Sequence, residues 1–236
     1  MSYSNRLRAV ALATLFVSAS ASAQWAGKGE LGLVLARGNS DATTLNGKVD
    51  MKDVDGEWTY LAGASLLRAS TSGTTSADRY ELHGQANRAL TPRAYLFGSG
   101  NFQDDKFSSF SYQASLVGGV GYKFIDTEPT KFAAELGIGY RRLKHITTGE
   151  TRGDAVVHGA LNFDHQLSAS TKLFDHLMVE AGSANVYATN DAGVAVKMSD
   201  KLALSVAYQV RHNSKVDTDT IKKTDQLTTA NIVFSF

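Results

Sequence analysis

The chain has 236 residues, with 24 Lys and Arg against 23 Asp and Glu, and no cysteine. A formal charge of +1 lacks the basic footprint that nucleic acid requires, and without thiols there is neither a disulfide framework nor thiolate chemistry. A mean hydropathy of −0.18 suits a soluble protein, and equally a barrel whose strands each turn one face to a polar interior, so pattern has to decide.

Residues 1–23 read as a secretory signal peptide. Arg6 and Arg8 supply the positive start, Ala9 to Ser18 an apolar core, and Ala21-Ser22-Ala23 a small-residue cleavage site, with cleavage expected after Ala23. The apolar run is well short of the ~20 residues a spanning helix needs. No Cys follows the site, so a lipid-anchored mature end is excluded. Loss of the leader removes two arginines and leaves residues 24–236 with a formal charge of −1. These residues show no linker and no composition shift, and read as one domain.

The rest of the chain divides into twelve predicted strands, at 29–37, 43–53, 58–70, 78–89, 93–104, 110–124, 131–144, 154–166, 171–182, 185–198, 201–213 and 223–236. Alternation is sharpest late in the chain. Leu202, Leu204, Val206, Tyr208 and Val210 share one face of their strand, opposite Ala203, Ser205, Ala207, Gln209 and Arg211. Phe132, Ala134, Leu136, Ile138 and Tyr140 likewise oppose Ala133, Glu135, Gly137, Gly139 and Arg141. Period two over so many segments means strands with one apolar face.

Three features place that face against lipid rather than against a second sheet. Aromatics sit at the ends of the apolar faces: Trp58, Tyr60, Tyr122, Phe124, Phe132, Phe163, Phe234 and Phe236 form one predicted girdle, and Tyr80, Tyr112, Tyr140 and Tyr208 the other. Connections alternate between tight turns (54–57, 90–92, 125–130, 168–170, 199–200) and mostly longer polar loops (71–77, 105–109, 146–153, 214–222), with the short 183–184 link as the exception. Both prolines, Pro92 and Pro129, fall in predicted turns, where no ladder hydrogen bond is lost. The expected fold is therefore all-β: a closed antiparallel transmembrane barrel of about twelve strands, in the outer membrane, with lipid as its surroundings. The last strand, with Ile232, Phe234 and Phe236 on one face, is the expected signal to the barrel-assembly machinery.

Several stretches also resemble a known family. They are Gly38–Gly47, Arg88–Gly98, Gly119–Phe124, Glu135–Arg141, Asp200–Ser214 and Lys223–Phe236, in this order and spacing. Together they resemble the YdiY-like salt-induced outer-membrane proteins, a family with a domain of unknown function, over nearly all of the mature chain. The resemblance implies an outer-membrane location. It implies no substrate, cofactor or catalytic residue.

A search for chemistry returns little. His212, Asn213 and Ser214, with His145 at similar height, carry hydrolase residue types, but neighbours on a strand point to opposite faces. The six histidines, at 83, 145, 158, 165, 176 and 212, show no metal-binding spacing. Gly118–Gly121 lies inside a strand and fails the context of a phosphate loop. Arg152-Gly153-Asp154 is a three-residue match to an adhesion motif within a polar loop. No cofactor, metal or enzymatic activity is expected.

What remains is an interior charge set: Lys48, Asp50, Glu81, His83, Glu135, Arg141, His176, Glu180 and Arg211, all on predicted polar faces. A charge facing mid-bilayer costs ~2–4 kcal/mol for Arg or Lys, so these side chains are expected to line the lumen. Gly119, Gly121, Gly137, Gly139, Ala203, Ser205 and Ala207 on the same faces are read as leaving space. The functional expectation is a narrow passive channel for ions or small solutes. The alternatives are a non-conducting structural or envelope-stress barrel and a lipid-modifying enzyme. Solute, gating, oligomeric state and inducing condition are not encoded in these patterns.

Overall fold

A computed structural model describes residues 25–36, 42–218 and 221–236. The expected signal peptide and cleavage site lie outside the described residues. Within them the chain forms twelve strands: β1 (Ala26–Ala36), β2 (Ala42–Asp55), β3 (Trp58–Thr71), β4 (Thr74–Ala89), β5 (Ala94–Asp105), β6 (Phe110–Asp126), β7 (Thr130–His145), β8 (Thr151–Gln166), β9 (Thr171–Gly182), β10 (Val186–Lys197), β11 (Leu202–Asn213) and β12 (Thr224–Ser235). Each pairs antiparallel with its sequence neighbours, and β1 pairs with β12, so the sheet closes. Closure satisfies the edge groups that an open sheet would leave bare.

The closing ladder runs over Lys28–Leu31 against Ile232–Ser235. It is extended by Phe236, whose N donates to Gly27 O at 2.9 Å while Gly27 N donates to Phe236 O at 2.8 Å. The Phe236 ring lies over Gly27, in space that a Cβ there would occupy.

Connections β2–β3, β4–β5, β6–β7, β8–β9 and β10–β11 share one rim with both chain ends; this is the turn rim. The connections β3–β4, β5–β6, β7–β8, β9–β10 and, in its described residues, β11–β12 lie at the opposite rim, the loop rim. One expected loop is not a loop. The segment predicted as 71–77 is a tight hairpin, Thr71–Thr74, with Ser72 at φ 49° and Gly73 at φ 77°. Two successive left-handed residues are what a two-residue hairpin needs to match strand twist. β4 therefore starts four residues earlier than its apolar pattern suggested. β8 likewise begins at Thr151, which shortens the loop expected over 146–153.

The exterior is apolar and bare. Ile138 is 74% exposed, Leu116 73%, Leu136 62%, Leu31 61% and Ile232 59%. Side chains of this size on every wall would form a continuous patch far beyond what a soluble surface carries. Ring contacts join Tyr122, Phe124, Phe132 and Phe163 along the turn rim, with Trp58 stacked on Tyr60 and Phe234 on Phe236. Tyr140 and Tyr208 project outward nearer the loop rim, both more than two-fifths exposed.

The interior is filled on one side. Tyr95, Phe97, Val117 and Val156 form a buried cluster against the β5–β8 wall. A register shift at Phe110 in β6 turns that ring inward, where it is 1% exposed and meets the His145 ring edge-on, 5.0 Å between centroids. The glycines expected to leave space here do not. Phe97 fills the place of a side chain at Gly119 and Gly137, Tyr95 fills it at Gly121, and Val117 at Gly139. Small residues in one strand thus seat large ones from the next, which is how a close-packed interior tolerates aromatic volume.

Candidate functional site

Register places each of the nine predicted interior charges on the inner face, and the structure sorts them into two settings. Lys48 and Asp50 on β2, with His83 on β4, are joined by contacts of 3.0 Å (Lys48–Asp50) and 3.3 Å (Asp50–His83). Their side chains are 37%, 35% and 42% exposed although they face the lumen, so this part of the interior is wet. His176 on β9 lies 3.7 Å from Asp164, which also holds Lys172 at 2.5 Å. These form a second, partly exposed trio nearer the turn rim.

The other five are deeper. Arg211 of β11 reaches Glu81 of β4 across the barrel, with Nη2 donating to Oε2 at 2.7 Å and Nη1 to Oε1. Arg211 Nη1 also donates to Tyr187 Oη at 2.9 Å, and Tyr187 Oη donates to Gln103 Oε1 of β5 at 2.8 Å. Ser65 Oγ donates to Glu81 Oε2 at 2.8 Å. Two bonds at fixed angles make this a stiff bridge, because a guanidinium presents its donors as a planar fork.

Beside that bridge the β5–β10 half is crossed repeatedly. Ser115 Oγ donates to Glu180 Oε1 at 2.9 Å, linking β6 to β9. Gln85 Nε2 and Tyr95 Oη both donate to Glu135 Oε1 at 2.8 Å, linking β4 and β5 to β7. Arg141 is 1% exposed and donates to the carbonyls of Glu180 and Asn185 at the β9–β10 connection. Asn185 Nδ2 donates to Asn213 Oδ1 at 2.7 Å. His158 sits between two carboxylates, 3.6 Å from Glu180 and 4.0 Å from Glu135.

The β11–β12 connection closes over this half. His145 Nδ1 and Asp217 Oδ1 are 2.5 Å apart, Thr147 N donates to Asp217 Oδ2 at 3.2 Å, and Asp217 N donates to Ser109 Oγ at 3.1 Å. The imidazole and the Thr147 amide hold the Asp217 carboxyl below the usual carboxylate range, against the opposing effect of its burial. Lys215 N donates to Asn185 Oδ1 at 3.1 Å.

The hydrolase residue types do not converge. His212 points outward and meets Thr224 Oγ1 at 2.9 Å, while Asn213 points inward and Ser214 Oγ accepts from Val186 N at 2.8 Å. Among the described residues no group of three or more His, Asp or Glu is placed to hold a metal.

Sequence reasoning missed the aromatic and amide part of the interior: Tyr95, Phe97, Phe110, Tyr187, Gln103, Gln113 and Asn185. Aromatic residues were read as lipid-facing. The available signal was their phase: Tyr95 and Phe97 share parity with Ser99, Asn101 and Gln103, not with Leu96 and Phe102.

A closed antiparallel ring with an apolar exterior, aromatic rims and a polar interior is the transmembrane β-barrel fold of outer-membrane proteins. The NanC porin has this fold: it is 10% identical with a TM-score of 0.52, the match covering 90% of this chain and 98% of NanC. The translocator domain of the autotransporter NalP from Neisseria meningitidis is also similar, at 11% identity and a TM-score of 0.47, over 93% of this chain and 90% of that domain. Residues 29–236 match the family described as "Protein of unknown function, DUF481", and the chain belongs to that family. Among curated proteins it is similar to the uncharacterized protein YdiY of Escherichia coli (strain K12), 24% identical over 218 residues, which are 92% of this chain and 85% of YdiY.

Proposed function

We propose that the protein is a narrow passive channel for ions and small polar solutes in an outer membrane, with the loop rim outside and the turn rim in the periplasm. The observation that carries this reading is the asymmetry of the lumen. The β5–β10 half is packed, whereas on the wall from β11 through β12 and β1 to β4 the inner residues are mostly small or polar, with Leu61, Leu67, Leu227 and Val233 as apolar exceptions. The small and polar ones include Ser65, Ala207 and Thr229, beside the partly exposed Lys48, Asp50 and His83. The Arg211–Glu81 bridge runs as a chord from β11 to β4, at the border of the two halves, and in this reading bounds the path. Its paired opposite charges predict weak ion preference, since neither sign dominates. Export would use the leader ending at Ala23. Insertion would use the barrel-assembly machinery, reading the Ile232, Phe234 and Phe236 face. No catalytic role belongs to this proposal.

The test is single-channel conductance of refolded residues 24–236 in a planar bilayer across a salt series. Discrete steps that scale with salt support the channel. Folded protein without steps supports the second reading, a non-conducting structural barrel, which the cross-linked β5–β10 half and its loop cover favour.

A further inference from the structure

β7 sends Leu136, Ile138, Tyr140, Arg142 and Lys144 to the outside of the barrel, forming a ridge that climbs toward the loop rim. The register sets the rows beside it. The row of Arg142 holds Ala114 and Phe102, and the next row down holds Tyr140, Leu116, Gly100 and Gly84. Where Gly84, Gly100 and Ala114 stand among larger neighbours, the surface sinks into an apolar groove of 440 Å³ bounded by Leu82, Phe102, Leu116 and Tyr140. On the other side of the ridge, Ala155, Val157 and Ala181 leave a second apolar groove of 570 Å³. Both are shallow and open along the barrel wall rather than enclosed. In hydrocarbon such grooves cannot hold stable water, because their walls offer it no partners.

The two grooves share Tyr140; Arg142 caps the first of them, and Lys144 stands one outward position further along β7. Among the described residues neither Arg142 nor Lys144 has an ion-pair partner. The nearest candidate carboxylates are otherwise placed: Asp104 lies two strands away beyond Tyr112, and Glu150 is held by Arg152 at 2.9 Å. Lipid-facing cations without partners are costly except where they reach anionic headgroups. The placement thus combines two channels for acyl chains, one ridge between them, and two adjacent positive charges at the level of one headgroup.

We infer that this ridge binds one molecule of the phosphorylated, multiply acylated glucosamine lipid of the outer leaflet, with its phosphates on Arg142 and Lys144 and its chains in the two grooves. The inference rests on the outer-membrane reading above, and on the loop rim facing outward. With the loop rim outward, the two cations stand at the level of the outer leaflet's anionic headgroups; a two-chain anionic glycerophospholipid in the same place is the outcome that the comparison below separates.

The experiment uses the detergent-purified mature protein and native mass spectrometry. The probes are bis-phosphorylated lipid A, dephosphorylated lipid A and phosphatidylglycerol. One tightly bound bis-phosphorylated lipid A is expected, preferred over both comparators. Arg142→Gln with Lys144→Gln weakens it by about tenfold or more and erases the preference over the dephosphorylated form. Gly100→Leu weakens both forms of lipid A. Its Cβ would lie 3.2 Å from the flexible tip of Leu116, so the fold accommodates it, and heat-modifiable gel migration checks that each variant is folded. Equal binding of phosphatidylglycerol, dimers held through this face in place of lipid, or variants without effect would overturn the inference. Wild-type protein that fractionates away from the outer membrane removes both readings. Wild-type protein in that membrane without lipid A preference removes this one alone.

Discussion

Arg211 Nη2 lies 2.7 Å from Glu81 Oε2, joining β11 to β4 through the lumen rather than along the wall. In the channel proposed above, removing either partner tips the balance of charge at this bridge, which the neighbouring Arg79–Asp105 pair (3.7 Å) leaves near neutral. Arg211→Gln should make the pore cation-selective, and Glu81→Gln anion-selective, read as opposite shifts of reversal potential in a salt gradient. Exchange of the two residues, Arg211→Glu with Glu81→Arg, should return the reversal potential toward wild type. Shifts of the same sign from both single variants would place the constriction elsewhere.

The packed half predicts a contrast between two walls. Gly121→Val would drive a side chain into the Tyr95 ring. It should cost about 1–3 kcal/mol, as overpacking does, measured by urea unfolding from lipid vesicles. Ala207→Val on the open wall should leave stability nearly unchanged and lower conductance instead. Equal destabilisation by both would mean that the lumen is filled evenly.

Leu136 is 62% exposed on the outer face of β7. If that face meets hydrocarbon, Leu136→Arg costs about 2–4 kcal/mol in the bilayer. In water, an exposed leucine changed to arginine has little effect, within about 0.5 kcal/mol. Unfolding from lipid vesicles with no loss of stability would contradict a membrane span.

The cover formed by the β11–β12 connection should depend on pH through Asp217. Its carboxyl is held below the ordinary value by His145 and the Thr147 amide. The stabilisation from a lowered carboxylate is present above the unfolded value of ~3.9 and is lost as pH falls through the depressed one. Protection of the Thr147 and Asp217 amides, measured against free-peptide exchange at the same pH, should therefore be high at neutral pH and be lost in strong acid. In Asp217→Asn it should already be low at neutral pH.

Phe236 is 58% exposed, and its backbone pairs with Gly27. Phe236→Ala keeps that pairing and should change folded-state stability by less than about 1 kcal/mol. Membrane assembly in cells should nevertheless fall, if the ring is read by the assembly machinery. Unchanged surface levels would sink that role.

The strands were legible because lipid outside and polar groups inside impose one strict alternation on every segment. The predicted bounds of β9 coincide with the structure, and most others differ by three residues or fewer. β4 was the poorest, because Thr74–Ala77 carries no apolar signal and its placement depends on the Ser72–Gly73 turn. The same alternation assigns the charged residues to a face. Their partners were not legible. Glu81 and Arg211 lie 130 positions apart, and alternation fixes which face a residue takes but not which strand stands opposite. The inward aromatics escaped because hydrophobicity alone cannot tell lipid from a packed lumen. Only the phase of Tyr95 and Phe97 against their polar neighbours carries that information.

The unequal filling of the interior has a mechanical side. Across β5–β10 the wall is braced from within by side chains that bond to the opposite wall. From β11 round to β3 the internal struts are few, apart from local links such as Asn46 to Asn231 at 2.9 Å. Bilayer tension pulls on the whole circumference, but only the unbraced arc can yield. Its bending is focused where the Arg211–Glu81 strut ends, so squeezing or thinning the membrane would change the cross-section of the lumen beside that arc while leaving the braced half in shape.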